Sequence, residues 1–576
     1  MKFPFLCLFF IILIAAPNVF AQNDSYKLKE IINKVQDRKS YDKKEYPLGI
    51  FTKAHYRREG QFAKERLEKL KELNKENLTS SERISAELLK FRLQETVDKF
   101  EFQTYLNPLL SDAGFHVSLA YQVRELANYA QVKSYLAKLN AVPVYVDQHL
   151  ALIREGIYKG ITQPKVIFEG YEATYNDQIV KDYKDSFYYS PFENLPQSLT
   201  QAQKDSVLKE AEIAIKTKVI PQFKRIKQFF ETEYLPKARE TVGVSAIPNG
   251  REYYQNRLDF YTTLDLTAEE VHQIGLDEVA RINSEMKTII KEVEFDGSFE
   301  EFIQFLRTDE QFYAKTPEEL LMVARNISKK IDAQLPRYFK TLPRKPYGVA
   351  PVPDAIAPKY TTGRYISPQD ETQAGFYWVN TYDLPSRPLY VLPSLTAHEA
   401  VPGHHLQISL NGELGDSIPA FRRNFYLSAY GEGWGLYSEF LAEEMGIYTT
   451  PYELFGKLTY EQWRACRLVV DTGIHALGWS RAQAVEYLRS NTALSLHEIN
   501  TEIDRYISWP GQAVSYKIGE IKIRELRKKA EGSLGEKFDI RDFHEVILSR
   551  GTLTLEIMEE LVNEYIQNRL ETKSKS

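Results

Sequence analysis

Cysteine is scarce: two in 576 residues, Cys7 and Cys466. The first sits in an apolar N-terminal stretch, so a disulfide framework is excluded and the fold must rest on its core. Charge of one sign is lacking too. The 74 basic and 79 acidic residues leave a net charge of −5, which excludes the basic surface of a nucleic-acid binder. Glycine (28) and proline (26) are too few for a disordered chain. After the N-terminal stretch no apolar run approaches the about 20 residues of a spanning helix. Histidine is infrequent, at ten residues, whereas tyrosine reaches 37. The length allows about three or four domains at ~150 residues each, although large helical enzymes often form one body.

Residues 1–21 read as a cleavable leader. Lys2 supplies a positive start, Phe3 to Ala16 an apolar run, and Val19-Phe20-Ala21 small residues before a cut after Ala21. Cys7 lies too early to be a lipid-anchor cysteine at a cleavage site. The expected location is the periplasm or outside the cell. Cys466, in a helix-like run, reads as a small buried hydrophobe.

Beyond the leader, helix signals dominate. Thr79–Glu82, Thr267–Glu270, Thr316–Glu319, Ser480–Gln483 and Ser495–Glu498 have capping-box form, the third with Pro317 added at the first helical position. Val271, Ile274, Val279 and Ile282 fall on one helical face. The charged run 53–103 reads as a solvated pair of helices. Strand signals are confined to 375–380 and 388–393, and the Pro- and Gly-dense segment 341–370 reads as an irregular loop. The expected fold is mainly α: a large two-lobed helical body with a small sheet near 375–393. Residues 22–250 would supply N-terminal helices and 251–576 the functional site, with no firm boundary between them.

Three of the ten histidines fall in His398-Glu399-Ala400-Val401-Pro402-Gly403-His404-His405. A His-Glu pair on a helix is half of a zinc hydrolase site: the imidazole binds the metal and the carboxylate serves as general base toward water. Proline at 402 breaks the usual i, i+4 spacing. His405 shares a face with His398 but lies about 10.5 Å along a regular helix. His404 is off that face unless Pro402 and Gly403 create a bulge that shortens the path, and this favours His404 over His405. A third ligand is needed. In Tyr430–Glu439 (YGEGWGLYSE), Glu432 is the expected ligand and Glu439 a supporting residue behind the ligands.

These residues resemble a family. His398–Gln407 (HEAVPGHHLQ) is similar to the HExxPGH signature of the large bacterial family known as domain of unknown function 885, placed among gluzincin-type zinc metallopeptidases. Ala374–Asn380 (AGFYWVN), Gly431–Glu439, Arg467–His475 (RLVVDTGIH) and Tyr506–Glu520 (YISWPGQAVSYKIGE) match its pattern as well. The resemblance implies a mainly helical peptidase fold holding one Zn²⁺ through His398, His404 and Glu432, with Glu399 as base. It also implies a small sheet whose edge strand, placed at Phe376–Asn380, would align an extended peptide substrate. Tyr516 and His475 are candidates to donate to the developing oxyanion. Arg467, Asp471 and His475 form either a charged relay or a buried structural network. The histidines at 55, 116, 149, 272, 497 and 544 read as structural.

The function expected is therefore an exported zinc metallohydrolase, a peptidase acting on peptides or oligopeptides. Two rivals remain: a peptide-binding protein with a structural metal and no catalysis, and a zinc amidase or esterase on a non-peptide substrate. An acidic neighbour at 399 is superfluous in the first of these.

Overall fold

The structure, a computed structural model, describes residues 16–354, 357, 360–368 and 372–571. The expected leader lies outside the described residues except for 16–21, which begin the helix Ala16–Gln36. The described residues form twenty-one α-helices, several short 3₁₀ turns and three strands. None of the described helices is long and apolar enough to cross a membrane.

Local sequence sets the helix starts. Thr79, Thr267, Ser480 and Ser495 each close a reciprocal capping box with the residue three positions on. So do Thr200, Ser298 and Thr450. Thr316 caps Glu319 N–H, but the Glu319 carboxylate accepts from Lys315 N instead. The run 53–103 folds as two helices, Lys53–Lys71 and Ser80–Glu101, and the second buries Leu88 and Leu89 completely.

Buried side chains gather in two large cores. One joins residues of 28–97 to the helices that follow residue 392; the other joins 109–238 to 279–312 and 455–513. Both cores cross residue 250. The helices Ala268–Glu292 and Pro451–His475 lie against each other where a Cβ on Gly275 would come within 2.7 Å of Val469. Val271, Val279 and Ile282 are buried on the first of them, with Ile274 packed at the core's edge. Cys466, on the second, is wholly buried, and its thiol is pushed well up by burial.

The sheet departs from expectation. It comprises β1 (Tyr347–Pro351), β2 (Gly363–Ile366) and β3 (Gly375–Val379) in the order β1-β3-β2, with β1 parallel and β2 antiparallel to β3. Thus two strands form inside the segment expected to be irregular. Residues 388–393 are not a strand: Leu389–Val391 is a 3₁₀ turn running into the helix Leu392–Glu399. Pro388 and Pro393 have no N–H for a ladder, and Pro393 suits a first helical turn. Asn380, buried after β3, donates to the carbonyls of Ala357, Tyr360 and Thr361, pinning the chain before β2.

Candidate metal centre

His398 and Glu399 end the helix Leu392–Glu399, and His404 begins another, His404–Gly412. The break is therefore complete rather than a bulge within one helix. The Val401–Pro402 peptide is cis, and Gly403 N–H returns to the Ala397 carbonyl at 2.9 Å. A Cβ on Gly403 would lie 1.9 Å from the His398 carbonyl oxygen, so only glycine fits. The tight turn brings the imidazoles of His398 and His404 to 4.7 Å between centroids, at 88°.

Glu432 comes from the helix Ser428–Glu444, which clasps this turn through Trp434 Nε1, donating to the Pro402 carbonyl at 2.8 Å. Each glycine in its GEGWG run admits a different neighbour. A Cβ on Gly435 would lie 2.6 Å from the His398 ring, and one on Gly431 2.4 Å from the Tyr426 ring. One on Gly433 would lie 2.6 Å from Gly519 of the helix Ser515–Leu534.

The donor atoms converge. Nε2 of His398 and Nε2 of His404 are each 3.5 Å from Glu432 Oε2, and all three lie within 4.8 Å of one another. Behind His398, Nδ1–H donates to Glu439 Oε1 at 2.7 Å, so that Nε2 is the ring atom facing the cluster. Glu439 is in turn bonded by Ser394 Oγ, and its backbone carbonyl by Tyr448 Oη at 2.8 Å. Among the described residues His404 Nδ1 is buried without a hydrogen-bond partner. Burial opposes charge on His398, but Glu432 and Glu439 outweigh it and push its pKa up to about 10. Burial likewise opposes charge on Glu432, yet the two imidazoles hold its carboxyl well below the usual range. The cluster favours a positive charge at its centre.

The spacing fits a small transition-metal ion. Donors about 2.1 Å from a tetrahedral zinc are about 3.4 Å apart, close to the 3.5 Å from Glu432 Oε2 to each imidazole nitrogen, with all three atoms within 4.8 Å of one another. Two nitrogens and one oxygen are poor ligands for calcium or magnesium, which take oxygen.

Glu399 follows His398 in the chain and acts on it electrostatically, with Oε2 accepting from Tyr365 N of β2 at 2.8 Å. That bond identifies the strand facing the site. β3 is paired on both sides and cannot add a substrate strand, contrary to the expectation for Phe376–Asn380. Among the described residues the outer edge of β2 pairs with no other strand, and its Tyr365 N–H turns to Glu399.

His405 is not in the cluster: Nε2 reaches the Lys345 carbonyl and Nδ1 the Tyr365 hydroxyl, each at 3.1 Å, and burial pushes its pKa down to about 4. Nor is His475 available as an oxyanion donor. Its Nδ1 accepts from Val244 N at 3.0 Å, its Nε2–H donates to the Tyr506 carbonyl at 2.9 Å, and burial pushes its pKa down to about 3. Asp471 accepts from Tyr254 Oη and Gly511 N, while Arg467 bonds Tyr506 Oη and Glu502. The trio is a buried structural network. Tyr516 is half-buried, its ring 4.6 Å from the Arg467 guanidinium and within electrostatic reach of Tyr426. Sequence reasoning missed Tyr426, whose hydroxyl donates to Glu432 Oε1 at 2.8 Å. Its one trace in the sequence was Gly431, the residue that makes room for the ring.

Solved structures share this fold. A "putative lipoprotein" from Colwellia psychrerythraea is 26% identical with a TM-score of 0.85, over 95% of this chain and 100% of its own. A "putative lipoprotein of unknown function" from Shewanella oneidensis is 20% identical with a TM-score of 0.70, over 95% and 99%. No curated protein matches the sequence. The family model of bacterial proteins of unknown function, DUF885, matches residues 38–562, and the chain belongs to that family.

Proposed function

We propose that this chain is an exported zinc-dependent hydrolase of the gluzincin type, acting on peptides. The observation that carries this reading is the convergence of His398, His404 and Glu432 at ion-binding distances, with the Glu399 carboxylate in electrostatic reach of His398. Bound there, Zn²⁺ supplies Lewis acidity toward a carbonyl and acidifies water. Glu399 takes the proton from the attacking water and delivers it to the leaving amine; Tyr365 N–H holds one of its oxygens and so orients the other. Among the described residues no strand pairs with the outer edge of β2, where Tyr365 N–H is held by Glu399, and an edge of this kind beside the cluster favours an extended peptide as substrate. Tyr516 is the remaining candidate for oxyanion donor. The expected leader and the lipoprotein descriptions of the two structural neighbours support export.

The test is a digest of a peptide mixture read by mass spectrometry, with and without chelator. The expected result is cleavage that stops on chelation, returns with zinc, and is absent in Glu399→Gln although that variant keeps its metal. Hydrolysis by metal-loaded Glu399→Gln at the wild-type rate would remove Glu399 as base.

A further inference from the structure

Three side chains form the cluster, but their outer contacts differ. His398 is held from behind by Glu439, His404 Nδ1 has no partner among the described residues, and Glu432 is held by a phenol. The two oxygens of Glu432 are thereby made unlike. Oε2 faces both imidazoles at 3.5 Å, while Oε1 accepts from Tyr426 Oη at 2.8 Å. A carboxylate free to offer both oxygens would add a fourth protein donor to a centre that must leave a position open for water.

We infer that Tyr426 is a positioning residue that reserves Glu432 Oε1, so that the carboxylate offers a single oxygen to a cation and the centre stays catalytic in form rather than structural. This rests on the metal reading given above. The contact is built into the backbone. Tyr426 lies in the non-helical stretch just before the helix Ser428–Glu444, and its ring occupies the space over Gly431. Any Cβ at 431 would come within 2.4 to 2.8 Å of the ring and hydroxyl. The residue as a whole is 47% exposed; its hydroxyl end is fixed by the bond to Glu432, and the missing side chain at 431 leaves the ring its space.

Two substitutions separate this role from general packing. Tyr426→Phe deletes the hydroxyl and keeps the ring. Gly431→Ala keeps the phenol but displaces it, at a helical position where alanine is intrinsically the better residue. The probe is Co²⁺ titrated into metal-stripped full-length protein and followed by visible absorption, whose bands are strong for four-coordinate and weak for five-coordinate cobalt. Wild type is expected to give the strong bands. Both variants are expected to retain their circular dichroism, to give weaker bands as Oε1 joins the centre, and to change cobalt affinity by about 10–100-fold, the usual effect of removing an outer partner. Wild-type bands and affinity in both variants would overturn this inference alone. A wild-type chain that takes up no cobalt would overturn the metal reading and this inference with it.

Discussion

His404 and His405 are adjacent in sequence and opposite in fate. The first turns toward Glu432 and the second toward β2, where Tyr365 and the Lys345 carbonyl occupy it. His404→Ala is expected to lose zinc and His405→Ala to keep it, as read by elemental analysis after dialysis. Retention of zinc by His404→Ala would reverse the assignment. His398 also carries a pH signature. In metal-free protein Glu432 and Glu439 outweigh burial and raise its pKa to about 10, from an ordinary value of 6.5. A raised imidazole pKa stabilises the fold fully below pH 6.5, and the contribution fades as pH rises through 10. Thermal denaturation of stripped protein should show a declining Tm across that window, with a shallower slope in His398→Gln. The three clustered residues were legible because HEAVPGHH and GEGWG combine scarce residue types at set spacing. Tyr426 was not legible: one tyrosine among 37, it is singled out only by the space above Gly431.

Among the elements, helices were far easier to read than strands. Capping boxes announce themselves in four residues: those expected at 79, 267, 480 and 495 form, and the one at 316 closes on its hydroxyl side alone. Strands β1 and β2 are short, of five and four residues, and flanked by proline and glycine, so turn chemistry masked them. The apolar run 388–393 misled in the other direction, because its prolines serve a helix start. Strand order is set by tertiary pairing, which local pattern does not encode; hence β2 rather than β3 is the edge strand that meets Glu399. The glycines at 433 and 519 bring two helices nearly into backbone contact. Gly433→Ala is expected to destabilise by about 1–3 kcal/mol through overpacking, although alanine is the better helix former. Chemical denaturation measures this, and an unchanged or increased stability would show that the crossing relaxes freely.

Over the whole molecule, the centre lies where the helices Leu392–Glu399, His404–Gly412 and Ser428–Glu444 meet in one of the two large cores. A cation bound there would fasten together segments of a chain whose described residues hold a single, buried cysteine and no disulfide. An ion that binds only the folded state raises stability by mass action, so Tm is expected to fall on chelation and recover with zinc. The measurement that bears most directly on the account is the zinc content of the purified full-length protein beside that of Glu432→Ala. The account predicts about one zinc per chain in the first and a large loss in the second. Zinc absent from the wild type after loading and dialysis, or held equally by both, would contradict it.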